Sequence, residues 1–329
     1  MILVTGGAGF LGSVLVRKFV DNGETVRVLA LPNEDVSTIS NLNVEIVRGD
    51  IRNKGNLEQA MKGIESVYHC AGMIAITSKN PALLYDVNVN GTANVAQVAL
   101  HEGIKSMVYV SSIHAFADIP RGLTIDETIP ISPVSAIGMY GKTKAIATLK
   151  ILEYVKKGLP CKIVCPTGII GPFDYRPSRM GQLILEFMQN KTWYTLDGGY
   201  NFVDVRDVAD GCILASTKGQ NGEIYILSGE YLTFKRLFSI LQAKLKVKKH
   251  LIYIPRWLLK LVATIEMRHA EGKEPLITYE SLEIIASNSM ISRKKAENEL
   301  GFKSRPMDET ITDTIEWFNV AFQSNIKGA

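Results

Sequence analysis

No apolar run in this 329-residue chain is long enough to cross a bilayer. The most apolar late stretch, Leu251 to Met267, is broken by Pro255, Arg256 and Lys260 and stops short of the ~20 apolar residues a spanning helix needs. A core helix is expected there, with an interfacial membrane role as the lesser alternative, and no integral membrane segment. Cysteine is scarce: Cys70, Cys161, Cys165 and Cys212 form no C-x-x-C pair and have no histidine-rich company. That excludes a thiol metal site and points to structural thiols in a reducing compartment. An excess of one charge is also missing, since 37 Lys and Arg stand against 33 Asp and Glu for a net charge of +4. The densest basic patch, Lys246 to His250, reads as a solvated loop, so nucleic acid is not an expected partner. Met-Ile-Leu-Val-Thr-Gly at the N-terminus has no charged n-region or cleavage site, so no signal peptide and a cytoplasmic location are expected. No low-complexity tract or fixed-period repeat is visible.

What is present is an ordinary globular composition, 46% hydrophobic and 21% charged, on a length that suits one large or two unequal domains. Short β-branched runs alternate with helical periods through the first half, the mark of βαβ units and a parallel sheet. Strands are expected at Ile2 to Val4, Val26 to Leu29, Val44 to Val47, Ser66 to Cys70, Met107 to Val110 and Lys162 to Cys165. After Pro166 the rhythm changes. Pro172 to Tyr200 reads as loop with one helix, Met180 to Gln189; Val205 to Ser216 and Ile224 to Leu227 return a helix and a strand to the sheet. From Thr233 the pattern is mainly helical: Phe234 to Leu245, Arg256 to Met267, Tyr279 to Ala286, Lys294 to Leu300 and Glu309 to Asn319. The expected fold is α/β, a doubly wound parallel Rossmann sheet with a smaller, mainly helical lobe. Residues 1–171 plus 203–229 form the dinucleotide-binding domain, and 172–202 plus 230–329 the substrate lobe.

Thr5-Gly-Gly-Ala-Gly-Phe-Leu-Gly12 sets Gly6, Gly9 and Gly12 three apart between the first strand and first helix. There a pyrophosphate needs a tight turn, bare backbone and a helix N-terminus, so a dinucleotide cofactor is expected. Tyr140-Gly-Lys-Thr-Lys144 places a phenol and an ammonium on one helix face. The cation is expected to lower the phenol pKa and make Tyr140 a proton donor or acceptor near neutrality. Tyr109-Val-Ser-Ser112 ends a strand at the carboxyl edge of the sheet, where a hydroxyl can meet a substrate carbonyl.

Together these segments resemble the short-chain dehydrogenase/reductase superfamily, in its extended branch of NAD-dependent epimerases and dehydratases. Gly49-Asp50-Ile51, His69-Cys-Ala-Gly72, Asn88-Val-Asn-Gly-Thr92, Pro166-Thr-Gly-Ile-Ile-Gly-Pro172 and Asn201 to Ala209 extend the resemblance over the chain. It implies Tyr140 as acid/base, Lys144 as the residue holding the nicotinamide ribose, and Ser112, four residues before Phe116, as the group polarising the substrate oxygen, with Ser111 structural. It implies cofactor contacts from Gly6, Gly9, Phe10, Leu11, Gly12, Asp50, Ile51, Ala71, Gly72, Asn88, Tyr140, Lys144 and Pro166. Two departures narrow the substrate. The branch's dehydratases carry Asp-Glu where Ile113 and His114 stand, so elimination by that pair is not expected. Its nucleotide-sugar epimerases commonly carry Asn and Arg where Gly168 and Tyr200 stand, and losing such phosphate contacts favours a less anionic substrate.

The segments from Gly198 and from Lys295 to Gly301, with Trp317-Phe318, resemble the dihydroflavonol 4-reductase-like group, which includes hydroxysteroid dehydrogenase relatives. That implies a carbonyl reductase or alcohol dehydrogenase acting on a small-molecule ketone, aldehyde or alcohol. Substrate contacts are expected from His114, Gly168, Ile169, Phe173 and Tyr200, with Tyr175, Met180 and Phe187 nearby. Ala30-Leu31-Pro32-Asn33 lacks the carboxylate that would bind ribose hydroxyls, which favours NADP over NAD, although Leu31 brings no cation. A homodimer through the helices bearing Asn88 and Tyr140 is an expectation of the same resemblance. Alternatives are a nucleotide-sugar 4-epimerase and a non-catalytic NAD(P)-sensing protein.

Overall fold

The computed structural model describes residues 1–74, 80–190, 192–255, 257–259, 261, 263–264, 279–287 and 290–322. Seven parallel strands form the central sheet: Ile2–Thr5 (β1), Val26–Ala30 (β2), Glu45–Arg48 (β3), Ser66–His69 (β4), Ser106–Val110 (β5), Cys161–Pro166 (β6) and, far along the chain, Ile224–Leu227. Their spatial order runs β3, β2, β1, β4, β5, β6 and then Ile224–Leu227. The order reverses between β1 and β4. That switch point opens a crevice at the carboxyl ends of the strands, where such sheets take ligands.

The strands are apolar on both faces because each face is covered. Leu3, Val67, Met107, Tyr109 and Ile163 point to one side, where they pack against the helices Lys54–Met61 (α2), Thr92–His101 and Gly138–Lys156. Val4, Val28, Tyr68, Val108 and Val164 point to the other, against Phe10–Asp21 (α1) and Val205–Lys218. Adjacent residues of each strand thus feed opposite cores, the period-2 alternation of a buried strand.

A third core belongs to the second lobe. Phe187, Phe202, Leu237, Phe238, Ile311 and Phe318 cluster there among the helices Arg179–Gln189, Phe234–Leu245 and Met307–Ala321. The expected helix boundaries hold to within a few residues. Strands that the sequence did not announce are also present: Gly168–Ile170, Gly199–Asp204 and Glu230–Thr233 in one small sheet, Thr192–Thr195 and His250–Tyr253 in another. Strands of three to six residues leave too few alternations to register as a pattern. The expected helix Arg256 to Met267 lies largely outside the described residues; 257–259, 261 and 263–264 are helical.

Ionic contacts tie lobe and sheet. Asp204, fully buried, caps Val205–Lys218 by accepting from the Arg206 N–H and guanidinium. Arg206 also reaches Asp313, and Arg305 binds Asp207 at 2.8 Å. Asp174, at 2% exposure, accepts from the Ser178 backbone and hydroxyl at 2.7–3.0 Å. Burial nevertheless pushes its carboxyl up to about 6. Because this folded value exceeds the ordinary 3.8, the unfolded chain loses its proton first, and Asp174 costs the fold stability as pH rises from about 4 to about 6. Asp174→Asn removes that titration. Its melting temperature relative to the wild type is expected to climb across this window by the equivalent of about 2 kcal/mol; a parallel pH dependence of the two melts would contradict it.

Candidate active site

The first loop leaves β1 through Gly6 at φ +70°, where an added Cβ would stand 2.8 Å from the Ala71 backbone. At Gly12 a Cβ would lie 2.1 Å from the Gly6 carbonyl oxygen. Only bare backbone lets this turn, the segment after β4 and the start of α1 come together. Gly9 caps α1 without a side-chain bond, and the first helical turn holds no acid. Its free N–H groups and dipole suit a diphosphate. The residues present therefore fit a dinucleotide.

Three of the expected cofactor residues are already committed within the protein. Asn88, buried in the π-helical turn Asp86–Gly91, accepts from the Met73 N–H at 2.8 Å and donates to the Met73 carbonyl and Thr143. It positions the segment bearing Ala71 and Gly72 against the Tyr140 helix. Asp50 is held in a bidentate pair with Arg52, which keeps its carboxyl below the usual range. Ile51 fills the space that Gly91 leaves open. Leu11 packs into the sheet core, and Pro166 is buried beside Leu227. Phe10 and Ala71 stay half-buried, while Gly72 is exposed, with its absent Cβ 3.9 Å from Lys144 Nζ.

Ser112, Tyr140 and Lys144 converge where the end of β5 meets the long helix Gly138–Lys156. Gly141 makes this possible, because a Cβ there would sit 2.8 Å from the His114 carbonyl oxygen. Ser112 stands near enough to the Tyr140 phenol to pull its pKa down, and its hydroxyl accepts from the His114 N–H. Ser111 instead pairs with Thr148 at 2.6 Å, and Thr148 donates to the Lys144 carbonyl, a structural role as expected. Lys144 donates to the Val110 carbonyl at 2.7 Å and lies 4.7 Å above the Tyr109 ring. Its ammonium is buried, and burial lowers its pKa to about 8. The expected lowering of the phenol pKa by Lys144 does not hold for the protein alone: burial dominates and pushes Tyr140 up to about 12, against the lowering pull of Ser112.

His114 and Tyr200 form a pair that single-residue reading does not reveal. The Tyr200 oxygen lies 2.6 Å from His114 Nε2, and the rings stack at 5.8 Å. The His114 ring meets Tyr140 edge-on at 6.2 Å. Burial pushes His114 down to about 4 and Tyr200 up, so both are neutral near pH 7. One hydrogen bond between two neutral groups thus joins the phenol to Nε2. Gly168 completes the pair, since a Cβ there would stand 2.6 Å from the Tyr200 ring. The two departures at 168 and 200 are thus one feature, a tyrosine lying where a side chain has been removed.

Beside them is a cavity lined by Ile113, Phe116, Ala117, Ile125, Ile137 and Ile291, with Asp118 and Ser287 as polar members. Most of the apolar residues expected around the substrate lie elsewhere. Phe187 is fully buried among lobe aromatics and Met180 packs on the same core. Ile169 packs against the sheet core. Phe173 and Tyr175 enclose the Arg17 guanidinium and meet Trp317, with Arg17 donating to the Tyr175 hydroxyl at 2.9 Å. No group of three metal-ligating side chains occurs among the described residues.

The chain is 32% identical over 320 residues to sterol demethylase protein B of Methylococcus capsulatus, covering 96% of this chain and 97% of that one. It is 31% identical to a Synechocystis protein provisionally named dihydroflavonol 4-reductase, covering 96% and 93%. The crystal structure of gox2253 superposes with a TM-score of 0.86 at 34% identity, covering 97% and 98%. The sequence pattern of the NAD dependent epimerase/dehydratase family matches residues 2–228, and the chain belongs to that family, whose dinucleotide its glycine turn is built to take.

Proposed function

We propose that the protein is an NAD(P)-dependent oxidoreductase interconverting a ketone or aldehyde and its alcohol on a weakly charged, largely apolar small molecule. The observation that carries this reading is the convergence of Ser112, Tyr140 and Lys144 beside a mostly apolar cavity whose lining, His114 and Tyr200 included, holds no lysine or arginine for a phosphate. A bound nicotinamide supplies or accepts the hydride. In reduction Tyr140 gives its proton to the substrate oxygen and Ser112 holds that oxygen; in oxidation the proton returns to Tyr140. Lys144, between Tyr109 and the Val110 carbonyl, would hold the nicotinamide ribose. Gly6, Gly9 and Gly12 would admit the diphosphate, and the missing carboxylate after β2 leans the reading to NADP. The names of relatives support a hydroxylated or oxo-substituted ring compound: sterol demethylase protein B and, at 27% identity, a mouse sterol-4-alpha-carboxylate 3-dehydrogenase.

The same reading divides the chain into residues 1–171 plus 203–229 and 172–202 plus 230–329, and pairs two copies through the helices carrying Asn88 and Tyr140. Exposed Tyr85 and Leu149 on that surface support the pairing; sedimentation velocity returning a monomer would remove it.

The direct test follows absorbance of the reduced nicotinamide with NADH and NADPH over ketones, aldehydes and alcohols, ring compounds included. Turnover with none of them, or only redox-neutral interconversion of a nucleotide sugar, would overturn the proposal. Since His114 stays neutral, kcat/KM is expected to show no histidine inflection between about pH 5 and 8. Tyr200→Phe leaves Nε2 without its hydrogen-bond partner and is expected to raise KM about 3- to 30-fold while kcat changes little. A collapse of kcat instead would make the pair part of the proton transfer.

A further inference from the structure

Between Glu230 and Glu266 the sequence holds eight lysines and arginines and no acid. At the chain's average of 33 acids in 329 residues, three or four would be expected. Part of that charge is used internally: Lys244 pairs with Asp308, and Lys249 donates to the carbonyls of Phe187, Met188 and Asn190. Lys246 and Lys248 are exposed and form no ion pair among the described residues.

The same stretch turns apolar side chains outward. In the parallel pair formed by Thr192–Thr195 and His250–Tyr253, Tyr194 stands opposite Ile252. Trp193 and Leu251, the neighbours of opposite parity, pack into the lobe core, which leaves Tyr194 at 59% and Ile252 at 46% exposure. The pattern repeats a few residues on. Leu259 and Ala263 are buried one helical turn apart, while Trp257 at 70% and Leu261 at 53%, also one turn apart, face away from that core. Surface helices normally bury such residues and expose polar ones. Here indole, phenol and aliphatic groups stand outside, a few residues along the chain from two exposed lysines without an ion pair among the described residues. Asp197 accepts from the Tyr253 hydroxyl.

Trp and Tyr favour the headgroup level of a bilayer, aliphatic side chains the acyl boundary beneath it, and clustered lysines the phosphates of anionic lipid. A nucleic-acid surface has no use for outward Ile252 and Leu261. We infer that this face of the second lobe docks on a membrane surface rich in anionic phospholipid, with Trp257, Leu261, Tyr194 and Ile252 seated at the headgroup level and Lys246 and Lys248 against the phosphates.

The test is flotation of the full chain with vesicles of phosphatidylcholine alone or mixed with phosphatidylglycerol. The protein is expected to float with the mixed vesicles, to stay behind with the neutral ones, and to be released by salt. Trp257→Glu and, separately, Lys246→Glu with Lys248→Glu are each expected to reduce the bound fraction several-fold while leaving circular dichroism melts unchanged. Three results would overturn the inference: no flotation, equal binding to both vesicle types, or binding indifferent to both sets of substitutions. A dimer in sedimentation velocity that Trp257→Glu dissociates, without flotation of the wild type, would assign the face to a second copy instead.

Discussion

Tyr140→Phe is expected to lower turnover by about 10²- to 10⁴-fold, the usual contribution of a positioned proton donor, with cofactor affinity within a few-fold of the wild type. The reason is local. Tyr140 is the titratable hydroxyl beside Ser112, and burial holds it protonated up to about pH 12, so in the reductive direction it arrives at the substrate oxygen as an acid. Removing one oxygen leaves the ring, its edge contact with His114 and the Lys144 position intact. Cofactor titration by nicotinamide fluorescence separates the two effects. If the variant kept more than about a tenth of wild-type kcat, Tyr140 could not be the proton donor.

How much of this was legible depended on the scale of the feature. The central sheet was, because Ile2 to Val4 or Met107 to Val110 must be apolar on both faces, and that imprint survives in a single sequence. The glycine turn was legible because each glycine answers a steric demand that no other residue meets. Ser112, Tyr140 and Lys144 were legible through spacing and resemblance. What escaped were long-range relations. The filling of the Gly168 gap by Tyr200, its bond to His114 and the reach of Phe173 to Arg17 join residues 32, 86 and 156 positions apart, and nothing local encodes such distances. The packing of the apolar residues escaped for the same reason: Phe187 and Ile291 look equally apolar in sequence, and only packing sends the first into the third core and the second to the cavity. A usable signal did exist for Gly168 and Tyr200. Both depart from the family pattern at once, and paired departures suggest contact.

Lys144→Met is expected to abolish most turnover and at the same time to stabilise the fold. An ammonium buried with one carbonyl acceptor and an aromatic face is poorly compensated, which is why its pKa falls from 10.5 to about 8. The sign follows directly. The unfolded chain binds this proton more tightly, so the cost is present in full below about pH 8 and disappears as pH approaches 10.5. The shift corresponds to about 3 kcal/mol near neutrality. Methionine fits the same stem volume without charge, but it leaves the Val110 carbonyl without that donor, at about 1–2 kcal/mol. A net gain of about 1–2 kcal/mol remains, a rise of a few degrees in melting temperature near pH 7 that shrinks steadily toward pH 10. Neutral burial of methionine would thus expose what the lysine costs the native state, a cost retained at a functional group and removed elsewhere by ordinary selection for stability. A variant less stable than the wild type near pH 7, or a gain that did not shrink with rising pH, would show instead that Lys144 is held in place by structural need, and its role beside Tyr140 would lose its strongest physical support.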